Sequence, residues 1–157
     1  MGIGPETSES DQAWMRHAFR LAKRAQTEGE VPIGAVIVRD EQCIAEGWNS
    51  PIALNDPTAH AEIQAIRNAG AKLENYRLVD TTMYVTLEPC VMCMGAIVHA
   101  RIARVVFAAH DEQRGAVCSA LNLADAAYLN HRVHWSSGVL SHECSEILRD
   151  FFKIRRK

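Results

Sequence analysis

The sequence predicts a three-layer α/β/α domain, with a mixed sheet of about five strands covered by helices on both faces. Three observations lead there. Two adjacent runs of β-branched and apolar residues flank a short polar turn, strand-like and helix-like segments then alternate toward the C-terminus, and apolar stripes at helical spacing stand at both ends of the chain.

Taken in order, Trp14, Ala18, Leu21, Ala22 and Ala25 recur at helical spacing while Arg16, Arg20, Lys23 and Arg24 fall on other faces, an amphipathic helix. Residues 33–39 and 42–48 read as two strands joined by a hairpin at Asp40-Glu41. The segment 49–58 holds two prolines and reads as a loop, with Asp56-Pro57 capping and opening a helix that runs to about Asn68, before Gly70. Residues 81–87 make a third strand, 89–99 a helix, 104–109 a fourth strand, 119–128 a helix and 132–135 a short strand. Leu140, Cys144, Ile147, Leu148 and Phe151 form the stripe of a last helix. Active residues in such a sheet belong at the carboxyl ends of the strands, where helix N-termini also point.

At 157 residues and 48% hydrophobic content the chain fits one domain with a full core, assigned to 11–157, with 1–10 expected as a variable or disordered N-terminal extension. No run approaches the roughly 18 apolar residues of a membrane span, and the N-terminus is polar and acidic rather than signal-like, so the expectation is a cytoplasmic protein without a membrane partner. Five cysteines without an export signal point to metal or thiol chemistry rather than a disulfide framework. The net charge of -2 excludes a strongly basic binder, yet 149–157 carries five bases against one acid.

The chemistry concentrates in His60-Ala61-Glu62 and Pro89-Cys90-Val91-Met92-Cys93. One imidazole and two thiolates suit zinc, but they are three ligands where a structural site has four, which leaves a position for water. Zinc lowers the pKa of such a water to near 7, so a nucleophile exists at neutral pH. Cys90 and Cys93 in the first turn of a helix gain from its dipole. Glu62 lies two residues from His60 and is badly placed to be a fourth ligand, so it reads as a proton carrier beside the zinc-bound water. A lone Cys-x-x-Cys is often half of a structural zinc site or a redox pair, and a lone His-x-Glu carries little meaning; together, at two helix starts, they indicate a catalytic zinc.

Longer stretches resemble the bacterial tRNA-specific adenosine deaminases: Glu30-Val31-Pro32-Ile33-Gly34-Ala35-Val36, Gly47-Trp48-Asn49, Asp56-Pro57-Thr58-Ala59-His60-Ala61-Glu62 and Tyr84-Val85-Thr86-Leu87-Glu88-Pro89-Cys90-Val91-Met92-Cys93. Asn75-Tyr76-Arg77-Leu78, Arg104-Val105-Val106-Phe107, Asn130-His131-Arg132-Val133 and Phe151-Phe152 extend the similarity over about Trp14 to Arg156. The resemblance implies a cytidine-deaminase-like fold, one zinc per subunit on His60, Cys90 and Cys93, Glu62 as proton shuttle, and a homodimer whose partner helps to build the RNA surface. It implies conversion of adenosine to inosine in a tRNA anticodon loop, at the wobble position. Asn49 would touch the extruded base, or it merely ends a strand by capping a turn; Asp111 and Asn130 would lie near substrate, each with an ordinary turn residue as the alternative. Ala108, Gln113-Arg114 and Cys118 depart from the family pattern around the loop after the fourth strand.

A base must leave its stack to be deaminated, which costs less in a loop than in a duplex. Lys153, Arg155, Arg156 and Lys157 are candidates to hold phosphates, and Phe151 or Phe152 to stack on a base. Against that, bases in a last helical turn complement its dipole, and phenylalanines complete cores. Cys43 and Cys144 read as core thiols, and the other histidines have no competing ligand spacing, although His110 falls near the expected site. Two rival functions remain at this point: deamination of a free base or nucleoside such as guanine, cytosine or cytidine, and a zinc-stabilised binding module without turnover.

Overall fold

The computed structural model describes residues 8–127 and 129–155. The first seven residues of the expected extension, Tyr128 at the end of the expected 119–128 helix, and the bases Arg156 and Lys157 lie outside the described residues. Along the chain come α1 (Glu9–Thr27), β1 (Gly34–Arg39), β2 (Gln42–Trp48), α2 (Pro51–Leu54), α3 (Ala61–Leu73), β3 (Thr82–Leu87), α4 (Val91–Ala100), β4 (Arg104–Ala109), β5 (His134–Ser137) and α5 (Ser141–Arg155). The expected layered architecture is present. The sheet has five strands in the order β2-β1-β3-β4-β5, antiparallel at β1/β2 and β1/β3 and parallel at β3/β4 and β4/β5.

The two faces are covered by different helices. Met15, Ala18 and Leu21 of α1 and Cys144 of α5 pack with Val36, Val38, Tyr84 and Val106. On the other side Ala61, Ala65 and Ala69 of α3 and Met94, Ile97 and Val98 of α4 pack with Ala35, Ile37, Val85 and Phe107. The alternation of Val36/Val38 against Ala35/Ile37 is the period of two that a sheet buried on both faces requires. Asp40 and Glu41 both take positive φ, 54° and 59°, the backbone of a tight hairpin turn whose twist matches that of the strands. No helix is long and apolar enough to cross a membrane.

Several boundaries differ from the sequence expectation. Helix α1 begins at Glu9, ahead of Trp14 and inside the expected extension, because Ser8 and Asp11 form a reciprocal capping box. Asp11 is also pinned, accepting hydrogen bonds from the Tyr84 hydroxyl and the Arg104 guanidinium. The loop 49–58 contains the one-turn α2, held by the Glu30 carboxylate accepting from the Ile52 and Ala53 amides. Helix α3 starts at Ala61, not at Asp56-Pro57, since the Asp56 carboxylate turns back onto Thr58 instead of capping a helix. It passes through Gly70 and ends at Glu74 in a left-handed conformation.

The expected 119–128 helix is absent among the described residues. Four of its amides reach back too far, Ala120 and Leu121 to Gly115, Leu123 to Ala116 and Ala124 to Val117, and Ala126 reaches only three residues back to Leu123, in place of the four-residue reach of an α-helix. The following strand lies at His134–Ser137, slightly later than expected.

Candidate active site

Strands β2, β3 and β4 run in the same direction, and a cavity of about 610 Å³ opens at their carboxyl ends. Asn49 enters it just after β2, Glu88 and Cys90 after β3, and His110 to Arg114 after β4, while Leu148 and Phe152 of α5 close one side. Helices α3 and α4 point their N-termini into the same space: His60 is the N-cap residue of α3 and Cys90 that of α4. Close packing brings α3 there. A Cβ on Gly47 would collide with the Ala61 carbonyl and stand 2.5 Å from the Ala65 nitrogen, so only glycine lets the first turn of α3 lie directly on β2.

His60 Nδ1 stands 3.7 Å from Cys90 Sγ and 3.5 Å from Cys93 Sγ. A tetrahedral zinc with Zn–S of about 2.3 Å and Zn–N of about 2.0 Å sets its ligands roughly 3.5–3.8 Å apart, so these donors already stand at the edges of such a tetrahedron. Two other groups of possible ligands occur among the described residues, His17/Cys43/Glu46 and Glu88/His110/Cys118. Neither fits as well. His17 Nε2 and Glu46 Oε2 are 2.6 Å apart, a hydrogen bond rather than the roughly 3.3 Å edge between nitrogen and oxygen ligands, and the Glu88 oxygens are committed to donors described below.

The electrostatics follow from three close groups at two helix starts. The hydrogen bond from Cys93, outweighing burial, holds the Cys90 thiol down at about 3, and the His60 imidazole adds to this. Donating that hydrogen bond, together with burial, drives the Cys93 thiol strongly upward. A divalent ion held there would take the place of the shared proton and keep both sulfurs as thiolates. The Cys90 hydrogen bond raises His60. Glu62 is buried at 4% exposure, and desolvation pushes its carboxyl up to about 7 against the pull of its own amide and of His60. A carboxyl that gains and loses a proton near neutrality, in the wall of the cavity, is suited to general acid–base work.

The remaining predicted residues divide. Asn49 lines the cavity and its Oδ1 accepts the Ala61 amide at 2.8 Å, so it holds the start of α3 from inside the site. Asp111 also lines the cavity, with its Oδ1 accepting the Gln113 and Arg114 amides as a turn residue does. Phe152 is in the cavity wall, packed edge-on against the buried Phe151. Arg155 is not: its guanidinium donates to the Gly29 carbonyl at 2.7 Å and covers the Phe151 ring, tying α5 to the end of α1. Asn130 is not either, accepting from Arg101 at the C-terminal end of α4, opposite Cys90.

Sequence reasoning missed Glu88. Its side chain is fully buried and takes five hydrogen bonds, from the amides of Asp111, Val117, Cys118 and Ser119 and from the Ser119 hydroxyl. Burial raises this carboxyl, but the bonds from Cys118, Ser119 and Asp111 prevail and its pKa is lowered. Hydrogen bonds to an ionised acceptor contribute about 1.5–3 kcal/mol each, enough together to offset the several kcal/mol of burying a carboxylate. The available signal was an acid immediately ahead of Pro89-Cys90, where a ligand-bearing turn gives no reason for one.

The model of the cytidine and deoxycytidylate deaminase zinc-binding region matches residues 8–109. A curated tRNA-specific adenosine deaminase of Haemophilus influenzae is 51% identical over 151 residues, covering 96% of this chain and 87% of its own. That of Aquifex aeolicus is 47% identical over 143 residues, covering 91% and 94%. A solved structure from studies of A-to-I editing by tRNA deaminases at the wobble position of transfer RNA superposes with a TM-score of 0.84 at 43% identity, covering 87% of this chain and 99% of that one. A guanine deaminase from Nitrosomonas europaea, at 22% identity and TM-score 0.73 over 89% of this chain and 83% of that one, shares the fold. With a matching domain model, relatives aligned over nearly their whole length, and donor atoms spaced for zinc, the chain belongs to the zinc-binding cytidine and deoxycytidylate deaminase family, among the tRNA-specific adenosine deaminases.

Proposed function

We propose that this chain is a zinc-dependent aminohydrolase that converts adenosine to inosine in tRNA, at the wobble position of the anticodon. The observation that carries the reading is the pairing of three donor atoms at zinc spacing with a buried, near-neutral carboxyl in one cavity. His60, Cys90 and Cys93 would hold the ion, which when bound supplies a water nucleophile at neutral pH. Glu62 would take one proton from the attacking water and pass it to the ring nitrogen of adenine, then take the second from the hydroxyl on C6 as the carbonyl forms and deliver it to the departing amine. Asn49 keeps the start of α3, and with it His60 and Glu62, in register, and offers the base a polar neighbour. Asp111 shapes the opposite wall, and Phe152 gives the extruded base an aromatic partner. Arg155 and Asn130 lie outside that wall and have no part in holding the base.

On this reading the chain works in the cytoplasm as a homodimer with RNA across the cavity mouth. The test is incubation of zinc-loaded protein with a tRNA bearing adenosine at the first anticodon position, with free adenosine, cytidine and guanine alongside. Inosine in the tRNA is expected. Product from a free base alone would transfer the activity to a small substrate.

A further inference from the structure

We propose that Glu88 is the positioning residue for the substrate-binding wall formed by His110 to Arg114. The proposal rests on the deaminase reading above and adds a role for a side chain outside the proposed zinc-ligand and proton-carrier set. The wall segment follows β4 and has no regular secondary structure of its own. The start of the segment and the stretch that follows it converge on one carboxylate: Oε1 accepts the Asp111 amide at 3.1 Å, while Oε2 accepts the Val117, Cys118 and Ser119 amides at 3.1, 2.9 and 3.0 Å. The Ser119 hydroxyl closes the clasp on Oε1.

The approach is close enough to dictate the sequence opposite. A Cβ on Gly115 would collide with the Glu88 carboxyl and stand 2.6 Å from the Asp111 carbonyl, so a side chain there forces the segment off its anchor. Glu88 is also two residues ahead of Cys90, and the Pro89 carbonyl between them accepts the Ala116 amide at 2.8 Å. One short stretch therefore carries a candidate ligand and fixes the wall relative to it. The groups assigned to the chemistry, His60, Glu62, Cys90 and Cys93, sit on α3 and α4 and not on this segment. Loosening the wall should thus weaken substrate binding more than turnover.

The experiment compares zinc-loaded wild type with Glu88→Ala, Glu88→Gln and Gly115→Ala, by hydrogen exchange of individual amides, zinc content, and kcat and KM on an anticodon stem-loop. Glu88→Ala and Gly115→Ala are expected to raise KM by about tenfold or more with kcat within about threefold. Exchange should accelerate at residues 111–119 while α3, α4 and zinc content stay as in wild type. Glu88→Gln should fall between, because its remaining carbonyl oxygen still receives the three convergent amides, while the Asp111 amide and the Ser119 hydroxyl meet an NH2 group, to which only the hydroxyl can adapt by turning to accept. Unchanged exchange at 111–119, or a fall in kcat at constant KM, overturns the proposal. So does exchange rising throughout α3 and α4 with loss of zinc, which would make Glu88 a support of the whole fold. Where Glu88→Ala does not fold, Glu88→Gln and Ser119→Ala decide by the same criteria. If wild type gives no inosine in RNA, the reading of function fails, and the exchange pattern still decides the role of Glu88.

Discussion

Two crossovers join neighbouring parallel strands, and they are built in opposite ways. From β3 to β4 it passes through α4, whose backbone groups satisfy one another; from β4 to β5 it passes through residues 110–133, which hold no helix among the described residues. In the first, order comes from a local repeat. In the second it comes from a buried carboxylate and from amides that reach back five to seven residues. The division also separates tasks: the proposed zinc ligands and proton carrier lie at the starts of α3 and α4, and much of the cavity wall lies in the irregular crossover. A regular element suits atoms that must be held to a fraction of an ångström, and an irregular one suits a surface shaped to its ligand.

Exchanging Glu62 for Ala is the severest test of that division. Deamination should fall by about 10²–10⁴-fold, the range for a lost general acid–base, with zinc content unchanged by elemental analysis. A variant that still turns over at the wild-type rate would remove the chemistry from the helix side. Next in size, Gly47→Ala drives a methyl group into the first turn of α3 and should cost about 1–3 kcal/mol of stability by denaturant titration, with activity falling in step. A neutral outcome would mean that α3 is not held by its approach to β2.

A smaller effect concerns acidity on the helix side. Because the Cys90 thiol is held at about 3, its thiolate persists as pH falls, whereas an ordinary thiol is protonated well above that. In zinc-stripped protein at pH 5, alkylation of Cys90 should therefore outpace an ordinary thiol by about tenfold, the gain in thiolate fraction being partly cancelled by lower nucleophilicity. Cys144, pushed up to about 12 by burial, should remain unmodified, and zinc should protect Cys90; peptide mass mapping reads all three. The smallest effect belongs to Asn130→Ala, in the irregular crossover but away from the cavity. Stability should change by no more than about 0.5 kcal/mol and KM by less than about twofold. A large rise in KM would bring Asn130 back into the substrate surface.

The same contrast explains what could be read in advance. Strands β1 to β4 and the outer helices carry unbroken periodicities, and His60, Cys90 and Cys93 carry ligand chemistry in their residue types, so the fold and the candidate metal site were legible. The Ser119-Ala120-Leu121-Asn122-Leu123 run has the composition of a helix. Its local preference is overridden by the distant Glu88, which binds the Val117, Cys118 and Ser119 amides, a contact that no short window contains. The start of α3 was misplaced for a related reason: Asp56-Pro57 has the signature of a helix start, but the side chain that caps Ala61 belongs to Asn49, twelve residues earlier. Arg155 shows the converse, a charge whose residue type suggests phosphate while its position gives it the Gly29 carbonyl just past α1.

The clasp around Glu88 gives this scaffold a form of modularity. Because main-chain amides supply most of the grip, the side chains between Asp111 and Val117 are left largely unconstrained by it, apart from Gly115. Drift at Glu112, Gln113 or Arg114 can remodel the chamber's rim while the reactive centre stays where it is, so selectivity for what enters and competence to transform it can diverge along separate mutational routes.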